Sequence, residues 1–155
     1  MKKNRFILIL LTIAAAASLM PSCTPGSCFE ETNAYVKATF ILENTGKVAA
    51  PDSISLYGIG MDARTIYKKS RNVSPALIPL DASSEQCGFV IKINGVNDTI
   101  SFTYSTYLHM LSKECGYTYW HTIETPVYTT NIIDKIAVNK NTITSLSEEN
   151  IRIYY

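Results

Sequence analysis

The most reactive side chains in this 155-residue sequence are four cysteines, at 23, 28, 87 and 115, and two histidines, at 109 and 121. Cysteines can pair as disulfides, hold a metal as thiolates or carry a lipid. A structural zinc site wants cysteines at C-x-x-C spacing or histidines a few residues apart. Here Cys23 and Cys28 are five apart, and His109 and His121 fall twelve apart on different predicted elements. No metal site and no cofactor are therefore expected. H-E-x-x-H, G-x-S-x-G and Walker-type patterns are absent, and Gly58-Ile59-Gly60 lacks the third glycine and following helix of a nucleotide-binding turn. Asp62, Asp98 and Asp134 lie near predicted turns, where Asp bonds the backbone locally, and the oxygen spacing of a calcium loop is missing. A glycan hydrolase would need a pair of carboxyl groups flanking the scissile bond, and no such pair stands out. The chain is read as a non-enzyme.

Two further constellations suggest binding or modification. Tyr117, Tyr119, Trp120 and Tyr128 are candidates for a ligand groove, because aromatic side chains are enriched where partners bind. Tyrosine-rich antiparallel strands are also common without any ligand, and that is the heavier reading. Asp52-Ser53-Ile54 and Asp98-Thr99-Ile100 resemble the Asp-Ser/Thr-apolar acceptor of periplasmic O-glycosylation in Bacteroidetes, which makes Ser53 and Thr99 candidate acceptors.

The N-terminus reads as a targeting segment. Lys2, Lys3 and Arg5 precede an almost purely apolar run from Phe6 to Ala17, and small residues follow. This is the order of a secretory signal. The run is shorter than the roughly 20 residues a membrane-spanning helix needs, and Pro21 ends it. Met20-Pro21-Ser22-Cys23 resembles a bacterial lipobox, with Met20 and Pro21 in unusual positions and Ser22 in a usual one. Residues 1–22 are then a lipoprotein signal peptide, Cys23 is the lipidated first mature residue, 23–27 form anchor and tether, and 28–155 form one domain. Several acyl chains hold firmly because each buried CH₂ contributes about 0.8 kcal/mol. Thr24 in place of Asp, with no acidic run directly after Cys23, points to the periplasmic face of the outer membrane by resemblance to bacterial lipoproteins.

Three of the fourteen Lys and Arg lie in this segment, against thirteen Asp and Glu overall, so the remainder is slightly acidic. Nucleic-acid binding wants a clustered basic face. Lys68-Lys69-Ser70-Arg71 is the only cluster and reads as a solvated turn, so no nucleic-acid partner is expected.

Positioning these residues falls to short strands. Ala34, Val36, Ala38, Phe40 and Leu42 alternate with Tyr35, Lys37, Thr39 and Ile41, a period of two. Ile54 and Leu56 share one face, and Gly58 and Gly60 suggest a bulge or close approach. Thr65 to Lys68 reads as a short strand. Pro75 and Pro79 place Val73 to Leu80 at a sheet edge or on a crossing strand. Cys87, Phe89, Ile91 and Ile93 alternate towards Asn94-Gly95, a strong hairpin signal, and Ile100, Phe102 and Tyr104 form the returning face. The turn could also span Asn94 to Asn97, which leaves the register open. Tyr107 to Lys113 reads as a loop or a single helical turn. Gly116 to Ile123 sets Tyr117, Tyr119 and His121 opposite Thr118, Trp120 and Thr122. Asn131 to Asn139 and Asn150 to Tyr155 supply the last strands, the final one pinned in a sheet. Eight or nine strands with no helix leave no long crossovers for parallel pairing. The expected fold is all-β, a mainly antiparallel two-sheet sandwich, immunoglobulin-like in the broad sense. A closed β-barrel is the alternative.

Several stretches together resemble a family of Bacteroidetes envelope lipoproteins described only as a domain of unknown function. They are Cys28-Phe29-Glu30-Glu31-Thr32-Asn33-Ala34-Tyr35-Val36-Lys37-Ala38, Leu56-Tyr57-Gly58-Ile59-Gly60-Met61-Asp62, Ser112-Lys113-Glu114-Cys115-Gly116-Tyr117, Thr129-Thr130-Asn131-Ile132-Ile133-Asp134, and the closing Ile151-Arg152-Ile153-Tyr154-Tyr155. The resemblance covers essentially the whole mature chain and implies no reaction, cofactor or substrate. With Cys23 lipidated, three cysteines remain and three pairings are open. The family pattern implies Cys28–Cys115, leaving Cys87 as a buried free thiol beside Phe89 and Ile91. The expected function is a non-catalytic interaction module held to the membrane by its lipid and serving an envelope protein or glycan. A surface-exposed binding lipoprotein is the second class, and a glycan-acting enzyme the third.

Overall fold

The computed structural model describes residues 28–155. The expected signal peptide (1–22), the candidate lipidation site Cys23 and the expected tether lie outside the described residues. Among the described residues every regular element is a strand. Two sheets pack face to face.

The first sheet is built on β1 (Tyr35–Leu42). Its alternation buries Val36, Ala38 and Phe40. Along one edge of β1 lie β2 (Lys47–Val48) and then β5 (Ala76–Pro79), and along the other lies β12 (Ile151–Tyr154), itself paired with β10 (Lys135–Val138). The β1–β12 pairing is parallel, Ala38 facing Ile151 and Ile41 facing Tyr154, and every other pairing is antiparallel. β5 is an edge strand, which suits Pro79 within it and Pro75 just before it, since Pro cannot donate to a ladder. The last strand is pinned between β10 and β1.

The second sheet runs β11–β8–β7–β6–β3–β4, with β9 (Val127–Tyr128) also on β7. These strands are β3 (Ile54–Gly58), β4 (Thr65–Ser70), β6 (Gln86–Ile93), β7 (Val96–Ser112), β8 (Gly116–Ile123) and β11 (Thr142–Ile143). The two-sheet sandwich is the arrangement expected, and the sheets do not close into one barrel. The core lies between them and includes Phe40, Leu56, Ile78, Ile91, Phe102 and Ile153.

Register at the β6–β7 hairpin is settled by its turn. Asn94 and Gly95 have φ of 48° and 95°, and Ile93 faces Val96. Both central residues in the left-handed region make a two-residue turn whose twist matches that of the strands. The basic cluster is not a turn. Lys68 and Lys69 lie on the exposed edge strand β4, where charge discourages edge-to-edge association.

Tyr107 to Ser112 is strand and neither loop nor helical turn. β7 runs 17 residues because it exchanges partners part-way. It pairs with β6 from Val96 to Thr103 and with β8 from Tyr104 to Ser112. Leu108, Met110 and Leu111 blur a period of two because this stretch lies beyond the core and both its faces are partly apolar.

Candidate functional site

Three features around β7 could meet a partner. The first is a polar cleft of about 1100 Å³, placed where β7 passes from β6 to β8. Thr103 and Ser105 of β7, Thr122 of β8, Gln86 of β6 and the exposed Glu85 and Glu124 line it. Hydroxyls, an amide and carboxylates converging on one depression suit hydrogen bonding to a polar partner.

The second is an apolar groove of about 650 Å³ lined by Ile59, Met61, Leu80, Cys87, Phe89 and Phe102 among others. A turn closed by Met61 N–H donating to Gly58 C=O, with Gly60 at φ 74°, folds the Ile59 side chain over Gly88. The close approach anticipated for this glycine-rich segment falls at Gly88, where an added Cβ would lie 2.7 Å from Ile59 Cδ1. Cys87 is a free thiol, but it is half-buried in this groove and not enclosed in the core. Burial pushes its pKa up, against the opposing pull of hydrogen bonds with Tyr104 and the Asp81 backbone.

The third is the outer half of the β7–β8 hairpin. Cys28 and Cys115 form a disulfide with Cα atoms 4.8 Å apart, so the start of the domain is stapled to the hairpin tip. Thr118 Oγ1 donates to the Thr32 carbonyl and continues the attachment. Beyond the short strand β11, which reaches only His121 and Thr122, the arm has no further strand partner among the described residues. An isolated two-stranded ribbon is marginal in water, so this bracing bears on whether the arm is ordered.

The four aromatic candidates do not line one groove. Successive side chains on a strand point to opposite faces. Tyr117 and Tyr119 therefore share one face of β8 and Trp120 takes the other, stacked on His109 with ring centroids 3.4 Å apart. Tyr128 is in β9, opposite Ile100, and packs against the core. His121 is buried, which lowers its pKa, and its Nδ1 lies 2.9 Å from Thr106 Oγ1.

Of the candidate acceptors, Ser53 is partly exposed just before β3, its N–H donating to Asn94 Oδ1 at 3.1 Å. Thr99 is half-buried within β7, and its N–H donates to Thr129 Oγ1 at 2.8 Å. Asp98 was expected to bond locally near a turn. Instead it is buried and accepts from Thr129 Oγ1 and from the backbone N–H groups of Asn131, Ile132 and Ile133. Burial works to raise its pKa, and these hydrogen bonds outweigh it and hold the carboxyl below its ordinary value. The one sequence signal for this role is an Asp on the inward parity of its strand, shared with Ile100 and Phe102.

The sequence profile of Family of unknown function (DUF6452) matches residues 53–155, more than half of the chain. The chain belongs to this family. The family match begins after β1 and β2 and includes β12, whose parallel partner β1 lies outside it. Both clefts are lined entirely from within the matched residues, while Cys28 of the staple precedes them. No curated protein matches the chain, and no solved structure does.

Proposed function

We propose that this family member is a lipid-anchored protein of the bacterial envelope whose β-sandwich serves as a non-catalytic interaction module. Its residence would be the outer membrane, facing the periplasm, in a bacterium of the Bacteroidetes. The observation that carries the reading is the Cys28–Cys115 disulfide. Disulfides persist in oxidising compartments such as the periplasm, and this one begins five residues after the cysteine that the lipobox-like sequence marks for lipidation.

The polar cleft at the β7 partner exchange supports the interaction role, since it offers hydroxyl, amide and carboxylate groups to a glycan or peptide. Glu85 and Glu124 are exposed in it, and the buried Asp98 is engaged by the 129–133 loop, so a binding surface fits these carboxylates better than a hydrolytic pair.

The test is mass spectrometry of the mature N-terminus from native envelopes, joined to fractionation and protease shaving. The expected result is a lipid on Cys23, recovery with the outer membrane and resistance to protease on intact cells. An unlipidated N-terminus would overturn the anchor. Shaving of intact cells would transfer the protein to the cell surface.

A further inference from the structure

The face of the arm that continues the core is exposed and apolar. Leu108 pairs across the hairpin with Tyr119, and Met110 with Tyr117. Their exposures are 57 % and 52 %, then 47 % and 64 %. Closer to the body, the same face carries Tyr104, His121 and Ile123, all buried. The difference arises because the opposing sheet ends. Ala34 and Tyr35, where β1 begins, and Pro79 and Leu80, where β5 ends, line one depression with Tyr119 and His121. Leu108, Met110 and Tyr117 lie past that limit and overhang.

What covers the overhang is set by the chain that precedes it. The staple fixes the arm's tip to Cys28, and Phe29 beside it is 92 % exposed. Cys23 is only five residues before Cys28, a span of at most about 17 Å when fully extended. The intervening Thr24-Pro25-Gly26-Ser27 has no large apolar side chain with which to cover the patch. A lipid on Cys23 would therefore hold the tip at the bilayer surface, where tyrosine favours the interfacial level and aliphatic side chains the acyl boundary.

We infer that the Leu108–Met110–Tyr117–Tyr119 face of the arm, with Phe29, rests in the lipid interface and orients the sandwich on its membrane. The inference depends on the lipid-anchor reading above. It makes the disulfide a coupling between the anchor and a second, non-covalent membrane contact.

The experiment reads depth in the bilayer with the full-length lipidated protein. It is reconstituted in phosphatidylethanolamine–phosphatidylglycerol vesicles whose acyl chains carry bromine, a contact quencher. The chain's single tryptophan is moved by Trp120→Phe with Tyr117→Trp, and in a control by Trp120→Phe with Val127→Trp. Val127 sits opposite Ser101, which lies about 30 Å along β7 from Met110. Emission at position 117 is expected to be quenched about threefold more than at 127 if the arm lies at the interface. Should the Trp120→Phe background fail to fold, Tyr117→Trp and Val127→Trp each added to the native chain give the same comparison by difference. Equal quenching at both positions with Cys23 lipidated overturns the inference and leaves the anchor standing. A mature N-terminus without lipid overturns both. A detergent-solubilised dimer that dissociates on Leu108→Ser with Met110→Ser would assign the face to a second copy and overturn the lipid contact.

Discussion

The carboxylate of Asp98 in β7 accepts the backbone N–H of Ile133 at 2.9 Å, across a sequence separation of 35. Thr129, Asn131 and Ile132 complete the same clamp. It holds the crossing from β9 in one sheet to β10 in the other, so a single side chain helps fix how the two layers connect.

Asp98→Asn is expected to lower stability by about 2–4 kcal/mol, because it removes a charge-assisted acceptor and turns an amide donor towards backbone donors. Urea unfolding followed by circular dichroism measures it. A change below about 0.5 kcal/mol would show that the loop finds other acceptors.

Acid should destabilise the protein in two ranges. His121 has a lowered pKa in the folded state, so the unfolded chain takes its proton first, and stability falls as pH drops below about 6.5. Asp98 also has a lowered folded pKa. Its contribution is fully present above the unfolded value near about 4 and is lost as pH falls through the folded value. Urea midpoints measured across pH should lose the upper slope in His121→Gln and the lower slope in Asp98→Asn.

Reducing the Cys28–Cys115 bond frees a loop with a sequence separation of 87. The chain-entropy model gives about 4–5 kcal/mol for such a closure. Cys28→Ser with Cys115→Ser should lower the urea midpoint accordingly. Hydrogen exchange should accelerate first in Tyr107 to Trp120, the part of the hairpin without further strand partners among the described residues.

Cys87 should react slowly with iodoacetamide in the native protein and readily in urea, because burial raises its pKa and the thiolate is the nucleophile. Tyr104 governs the neighbouring turn: its hydroxyl donates to Asp81 C=O and accepts Asp81 N–H, at 2.9 and 3.0 Å. Tyr104→Phe is expected to cost about 1–2 kcal/mol in urea unfolding, because it removes both hydrogen bonds to the Asp81 backbone.

Gly95→Ala places a side chain at φ 95° and should destabilise by about 1–2 kcal/mol, read as a lower thermal midpoint. Gly88→Ala should cost less. Its new Cβ meets the far end of a half-exposed Ile59 side chain, which can swing away into solvent.

The sequence by itself determined the inward faces of β1, β3, β6 and the first half of β7 and the presence of a hairpin at Asn94-Gly95, and it narrowed β5 to a sheet edge or a crossing strand. Each follows from near neighbours: alternation sets a face, left-handed turn residues set a hairpin, and proline cannot serve a central ladder. The Cys28–Cys115 pairing was legible only through family resemblance, since spacing left three pairings open. Tertiary structure alone decided the parallel β1–β12 pairing, the clamp of Asp98 on the 129–133 loop, the continuation of β7 past Tyr107 and the separation of Trp120 from Tyr117 and Tyr119. These depend on which strands lie side by side and where the opposing sheet stops. An apolar residue carries the same local pattern whether another layer covers it or not, so Phe102 in the core and Leu108 on the overhang differ only in what the rest of the chain places above them.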